Sequence, residues 1–211
     1  MPKIANREYR DMVLRIVEDE PEERKVVTGY ASTFNQPYTL YEDDDLIYRE
    51  QVSPDAFDKT DMSDVIMQYD HEGRVFARMS NNTLRVAPDE KGLFIEADLG
   101  GTEIGRQLYD EIAGGYTDKM SFGFIVGEDE ETRSEAEDGR VDILRTIRGI
   151  TKLFDVSAVS LPANGATSIG VATRSRIDGA IEDIRAERLE AEKIMLERRR
   201  AEVRARALGK D

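Results

Sequence analysis

The sequence predicts an α+β chain that is mainly β, a barrel or sandwich with two short helices and a charged helical extension. Three observations carry this. Short segments rich in β-branched and aromatic residues recur up to about residue 172. Turn signals such as Asp89-Glu90-Lys91-Gly92 and Asp138-Gly139 separate them. From residue 175 to about 208 the composition changes to Glu, Arg and Ala without proline.

In chain order, strands are expected over residues 13–17, 26–30, 46–48, 93–97, 122–126, 141–145 and 155–159. Apolar residues in 153–161 do not alternate strictly, so this segment is expected to be buried on both faces. A first helix is expected at 53–57, where Ser53 precedes Pro54 as cap and first helical residue. A second is expected over 102–113, because Ile104, Leu108 and Ile112 recur at i, i+4, i+8 and Gly114-Gly115 follows. Residues 128–138 hold seven acids in eleven positions and are expected to form a solvated hairpin loop.

The extension carries Glu182–Arg185, Glu190–Lys193, Glu197–Arg200 and Glu202–Arg206 at helical neighbour spacing. Its apolar residues Leu189, Leu196 and Val203 recur every seven, but Arg185, Glu192 and Arg199 hold the partner heptad positions. So thin a stripe is expected to add little to a core. The domain division is therefore 1–173 for the body and 174–211 for a charged helical tail, read either as a solvated helix or as a partner-binding arm.

Composition excludes much chemistry. Without cysteine, the 211-residue chain has no disulfide framework, Cys nucleophile or thiolate metal site, and one histidine rules out a His-rich metal centre. No run approaches a membrane span and no signal-peptide apolar region opens the chain, so an intracellular protein without membrane contact is expected. The net charge of −14 divides into −16 for residues 1–173 and +2 beyond. An acidic body repels phosphate backbones, so no nucleic-acid partner is expected.

Three residues could carry a reaction. His71 ends an apolar strand and opens a polar loop, where scaffolds present catalytic side chains. Ser121 opens a strand, with Phe122 and Phe124 expected on one side and Gly123 allowing close approach. A serine hydroxyl needs a base, and His71 is the only imidazole in the chain. Asp155 lies in an apolar strand, where an acid is costly to bury without a partner; it could orient an imidazole, or face solvent. An alternative class is a carboxylate hydrolase built on Glu42-Asp43-Asp44-Asp45, with Mg²⁺ or Ca²⁺.

The wording of three blocks resembles the HK97-type prohead maturation serine proteases of tailed bacteriophages. The blocks are Gly29-Tyr30-Ala31-Ser32-Thr33-Phe34 with 66–78 and its single His; 92–99 leading to Met120-Ser121-Phe122-Gly123-Phe124; and Leu153-Phe154-Asp155-Val156-Ser157-Ala158-Val159 with 160–164. They span about residues 10–172. The resemblance, which extends distantly to herpesvirus assembly proteases, implies a closed, mostly antiparallel β-barrel with flanking helices. It implies a serine endopeptidase with Ser121 as nucleophile, His71 as base and Asp155 as third member, needing no cofactor or metal. The implied partners are the major capsid protein with its scaffolding segment and the protease itself, with a homodimer possible. The implied place is the host cytoplasm, inside the assembling prohead. Backbone N–H groups are expected as oxyanion donors, with residues 162–165 a candidate loop. The alternative of another class is the same fold as an inactive assembly module that docks on capsid or scaffold.

Overall fold

The computed structural model describes residues 7–17, 24–160 and 171–209. Ten strands there form one hydrogen-bonded sheet: β1 (Arg7–Ile16), β2 (Val26–Thr33), β3 (Tyr38–Glu42), β4 (Leu46–Val52), β5 (Ile66–Tyr69), β6 (Glu72–Arg78), β7 (Leu84–Pro88), β8 (Gly92–Asp98), β9 (Lys119–Glu135) and β10 (Val141–Val159). The order is β3-β4-β10-β9-β1-β2-β8-β7, with β5 pairing β10 and β6. The mainly β expectation is met. The closed antiparallel barrel is not: among the described residues no ladder joins β3 to β7, and β10 pairs both β4 and β5 in parallel. The 19-residue β10 explains this. One of its edges takes β4 along Val141–Ile147 and β5 along 155–158, which leaves β3 and β7 as separate ends. Strand composition reports which residues are extended but not which edges meet.

The main core lies on one face, where Val27, Phe57, Met67, Leu93, Phe122 and Phe124 are buried together. Each such side chain contributes about 1.5–3 kcal/mol by leaving water. Helix α1 (Glu103–Ala113) closes over it with Leu108 and Ile112. Its start is set by Thr102, whose Oγ1 accepts from the Gly105 N–H at 3.0 Å. Gly105 is required by proximity, because a Cβ there would lie 2.2 Å from the Leu99 carbonyl.

Three expectations are corrected. Residues 53–57 make no helix: Ala56 N–H donates to the Ser53 carbonyl and Asp58 N–H to that of Asp55, consecutive turns rather than α. The segment's backbone is tied to β10 instead, with Ile150 N–H donating to the Ala56 carbonyl and Asp61 N–H to that of Thr151, which leaves too short a stretch for a helix. The acidic segment 128–138 is strand up to Glu135, and only the turn around Gly139 (φ +82°) is loop. Its carboxylates tolerate that regularity because they are paired: Asp129 with Arg145 and Arg176, Glu130 with Arg148, and Glu131 with the Tyr48 hydroxyl.

The third correction is the tail. Helix α2 (Val171–Leu208) begins before the expected boundary, and its first half packs on the sheet. Ile177 and Ile184 are buried with Leu40, Leu46, Tyr48 and Ile143 in a second core. Arg145, itself buried, donates to Glu50, Asp129 and Thr173 of α2. Arg133–Glu187 and Arg188–Asp45 continue the contact. The heptad residues Leu189, Leu196 and Val203 are the exposed ones.

Candidate active site

Strands β5 and β6 are joined by two residues, Asp70 and His71, with Tyr69 opposite Glu72. Both loop residues have left-handed φ, +48° and +58°, as the tight I′ hairpin turn demands. Asp tolerates this conformation; a histidine there costs on the order of 1–2 kcal/mol. The tip is tied down: Asp70 N–H donates to the Ala158 carbonyl, and Ser160 N–H and Oγ–H donate to the Asp70 carboxylate at 2.8–3.1 Å. The strained backbone therefore holds the imidazole against the end of β10.

There His71 Nδ1 lies 2.5 Å from Asp155 Oδ1. Asp155 is fully buried, whereas the His71 side chain keeps 16% of its surface exposed. A solvent-facing Asp155 is thereby excluded. An ionised Asp155 only accepts hydrogen bonds, so against it His71 donates through Nδ1. The same Oδ1 accepts from the Ser157 hydroxyl at 2.5 Å. These two donors, both on Oδ1, offset only part of the cost of burying the carboxylate.

Ser121 is on β9, one strand away. In the register Ser121 faces Ser157 and Gly123 faces Asp155, while Val156 faces Phe122. By strand alternation Ser121, Asp155 and Ser157 share one side of the sheet, and Phe122 and Phe124, stacked at 4.5 Å, take the other. Directly opposed Cβ atoms lie about 5 Å apart and diagonal ones about 7 Å, so Ser121 lies opposite Ser157 and one diagonal step from Asp155. Its Oγ is buried and makes no hydrogen bond among the described residues. Beside the hairpin, a groove of about 440 Å³ runs between β6 and α1, with Tyr69, Phe76 and Leu108 along it and Glu72, Arg74 and Glu111 among its lining residues.

The structure thus brings His71 and Asp155 into contact and places Ser121, whose buried Oγ makes no hydrogen bond among the described residues, on the neighbouring strand. The family model of the caudovirus prohead serine proteases matches residues 11–179, most of the chain. The chain belongs to that family. This prohead protease family member is thus a serine protease by kinship, of the kind that matures phage capsids and meets capsid proteins inside the assembling prohead. No curated protein and no solved structure matches the chain. No helix among the described residues is long and apolar enough to cross a membrane.

Other candidate residues divide cleanly. In the acidic cluster, Asp43 accepts from the Asp45 and Leu46 N–H groups and from the Tyr41 hydroxyl, while Glu42 pairs with Arg140 and Asp45 with Arg188. Those acids close the β3–β4 turn and bind cationic side chains, and no group of three metal-ligating side chains occurs among the described residues. The candidate oxyanion loop 162–165 lies outside the described residues. Sequence reasoning passed over Ser157, although an Asp-x-Ser spacing in a strand places both side chains on one face. It also passed over the turn around His71, whose signal was two residues between apolar strands.

Proposed function

We propose that the chain is an endopeptidase in which Ser121 Oγ attacks a peptide carbonyl and His71 Nε2 takes the hydroxyl proton. The imidazolium, held by Asp155, then returns that proton to the leaving amine. The acyl-enzyme ester is released by a water that His71 deprotonates in turn. The observation that carries this reading is the 2.5 Å contact between the chain's single imidazole and a fully buried carboxylate. Ser121 sits on the neighbouring strand with an unengaged hydroxyl. Serine–histidine bonds of this kind often close only when substrate arrives, so an unengaged hydroxyl suits a resting enzyme.

The substrates in this reading are the scaffolding segment of the major capsid protein and the protease itself. The groove between β6 and α1 gives a substrate side chain a seat next to the base, since Tyr69 and Glu72 line it and flank the Asp70–His71 turn. The test is co-expression with the neighbouring capsid gene, wild type against Ser121→Ala, read by intact mass. Loss of the scaffolding segment with wild type alone supports the reading. Equal masses from the two would leave an inactive assembly module.

A further inference from the structure

We propose that Ser157 is a positioning residue of this site, a fourth member that fixes the carboxylate of Asp155; the proposal rests on the catalytic reading of His71 and Asp155. Ser157 is fully buried, and its hydroxyl donates at 2.5 Å to Asp155 Oδ1, the oxygen that also accepts from His71 Nδ1. A side chain with one proton has spent it on this bond. Asp155 lies beside a register irregularity between Leu153 and Asp155, so the ladder alone does not set its direction. Two donors converging on one oxygen leave the carboxylate a single orientation.

The position is also central in the sheet. Ser157 faces Ser121 on β9 and Gln68 on β5, so one residue of β10 stands between the nucleophile's strand and the strand that leads to the base. Its hydroxyl points along β10 to Asp155 rather than across to Ser121, whose Oγ makes no hydrogen bond among the described residues. Ser157 therefore acts on the base through the carboxylate and leaves the nucleophile free to meet substrate.

The test compares Ser157→Thr with Ser157→Val in the full chain, two side chains of the same shape that differ by the hydroxyl. Ser157→Thr is expected to keep wild-type turnover. Ser157→Val is expected to lower kcat about tenfold to a hundredfold with KM unchanged, the cost of one hydrogen bond to a charged group. The second readout needs no turnover. The chain has one histidine, so the downfield imidazole N–H proton resonance reports the His71–Asp155 contact without ambiguity. Measured in a Ser121→Ala background, that resonance is expected to hold its place in Ser157→Thr and to shift or broaden in Ser157→Val. Wild-type turnover and an unmoved resonance in Ser157→Val overturn the proposal, even if melting temperatures differ. A resonance that responds in a chain that cleaves nothing upholds the positioning of His71 and overturns the protease reading instead.

Discussion

At the scale of single residues, the site is expensive to build. His71 occupies a left-handed backbone position that glycine would take without strain, and Asp155 is a carboxylate without solvent. Such costs persist where the surroundings over-determine them, and here β10 does so through Ala158, Ser160 and Ser157. Replacing His71 removes the base and the Asp155 contact whichever residue follows, so His71→Ala and His71→Gly are both expected to abolish cleavage. They are expected to differ in stability, with His71→Gly the more stable by about 1 kcal/mol in urea unfolding because glycine adopts a φ of +58° without the strain that alanine meets there. Equal midpoints would mean that the turn relaxes when the ring is gone. In the proposed reaction the imidazole must be unprotonated to act, so kcat/KM is expected to fall as pH drops and His71 takes up a proton. A profile flat down to about pH 5 would point to a carboxylate base.

Among the elements, α2 departs furthest from its sequence pattern. Its exposed heptad residues suggested a detached helix, yet Ile177 and Ile184, seven apart, fill a second core with Tyr48 and Leu46. Ile177→Ala and Ile184→Ala are each expected to cost about 2–4 kcal/mol, and Leu196→Ala under about 0.5 kcal/mol. Truncation after Thr173 should therefore lower the melting temperature markedly, and truncation after Arg188 should leave it nearly unchanged; the reverse order would place the second core elsewhere. The docked half also depends on acid. Burial alone would raise the Asp129 carboxyl, but hydrogen bonds from Arg176 and Arg145 outweigh burial and hold it below the usual carboxylate range. A group depressed in the folded state contributes stability above its unfolded value and loses it as pH falls through the folded one. Helix docking is thus expected to be intact near neutrality and to weaken below about pH 4. Proteolysis within residues 171–188 as a function of pH measures this, and in Asp129→Asn the acid dependence should shrink.

For the whole molecule, the division of stability suggests where self-processing can act. The half of α2 beyond Arg188 exposes Leu189, Met195 and Val203, buries little, and opens at small cost. Self-cleavage is expected to remove mass from this outer half while residues up to Arg188 stay attached. Intact-mass spectra of the active chain over time check this against Ser121→Ala, which should stay whole. A first cut between 174 and 188 would mean that the second core opens before the outer helix is used.

The strands of 26–30, 93–97 and 155–159 and the helix before Gly114-Gly115 were legible in the chain itself, because side-chain type and spacing report extension and capping locally, whereas His71, Ser121 and Asp155 stood out only as separate candidates that the resemblance of three sequence blocks joined into one site. The chain's only imidazole had to be the base of any serine mechanism, and that inference needed no coordinates. Three matters were decided by tertiary structure. An edge of β10 shared by β4 and β5 keeps the sheet open, and composition carries no information about which edges meet. Ile177 and Ile184 became core only because Leu46, Tyr48 and Ile143 from distant strands present an apolar surface to them. The bond between Asp155 and His71 joins residues 84 apart, and its second donor, Ser157, counts only because the strand that carries it is buried. Local sequence sets what each residue can do; burial and register, which are properties of the whole fold, set which of those capacities are brought into contact.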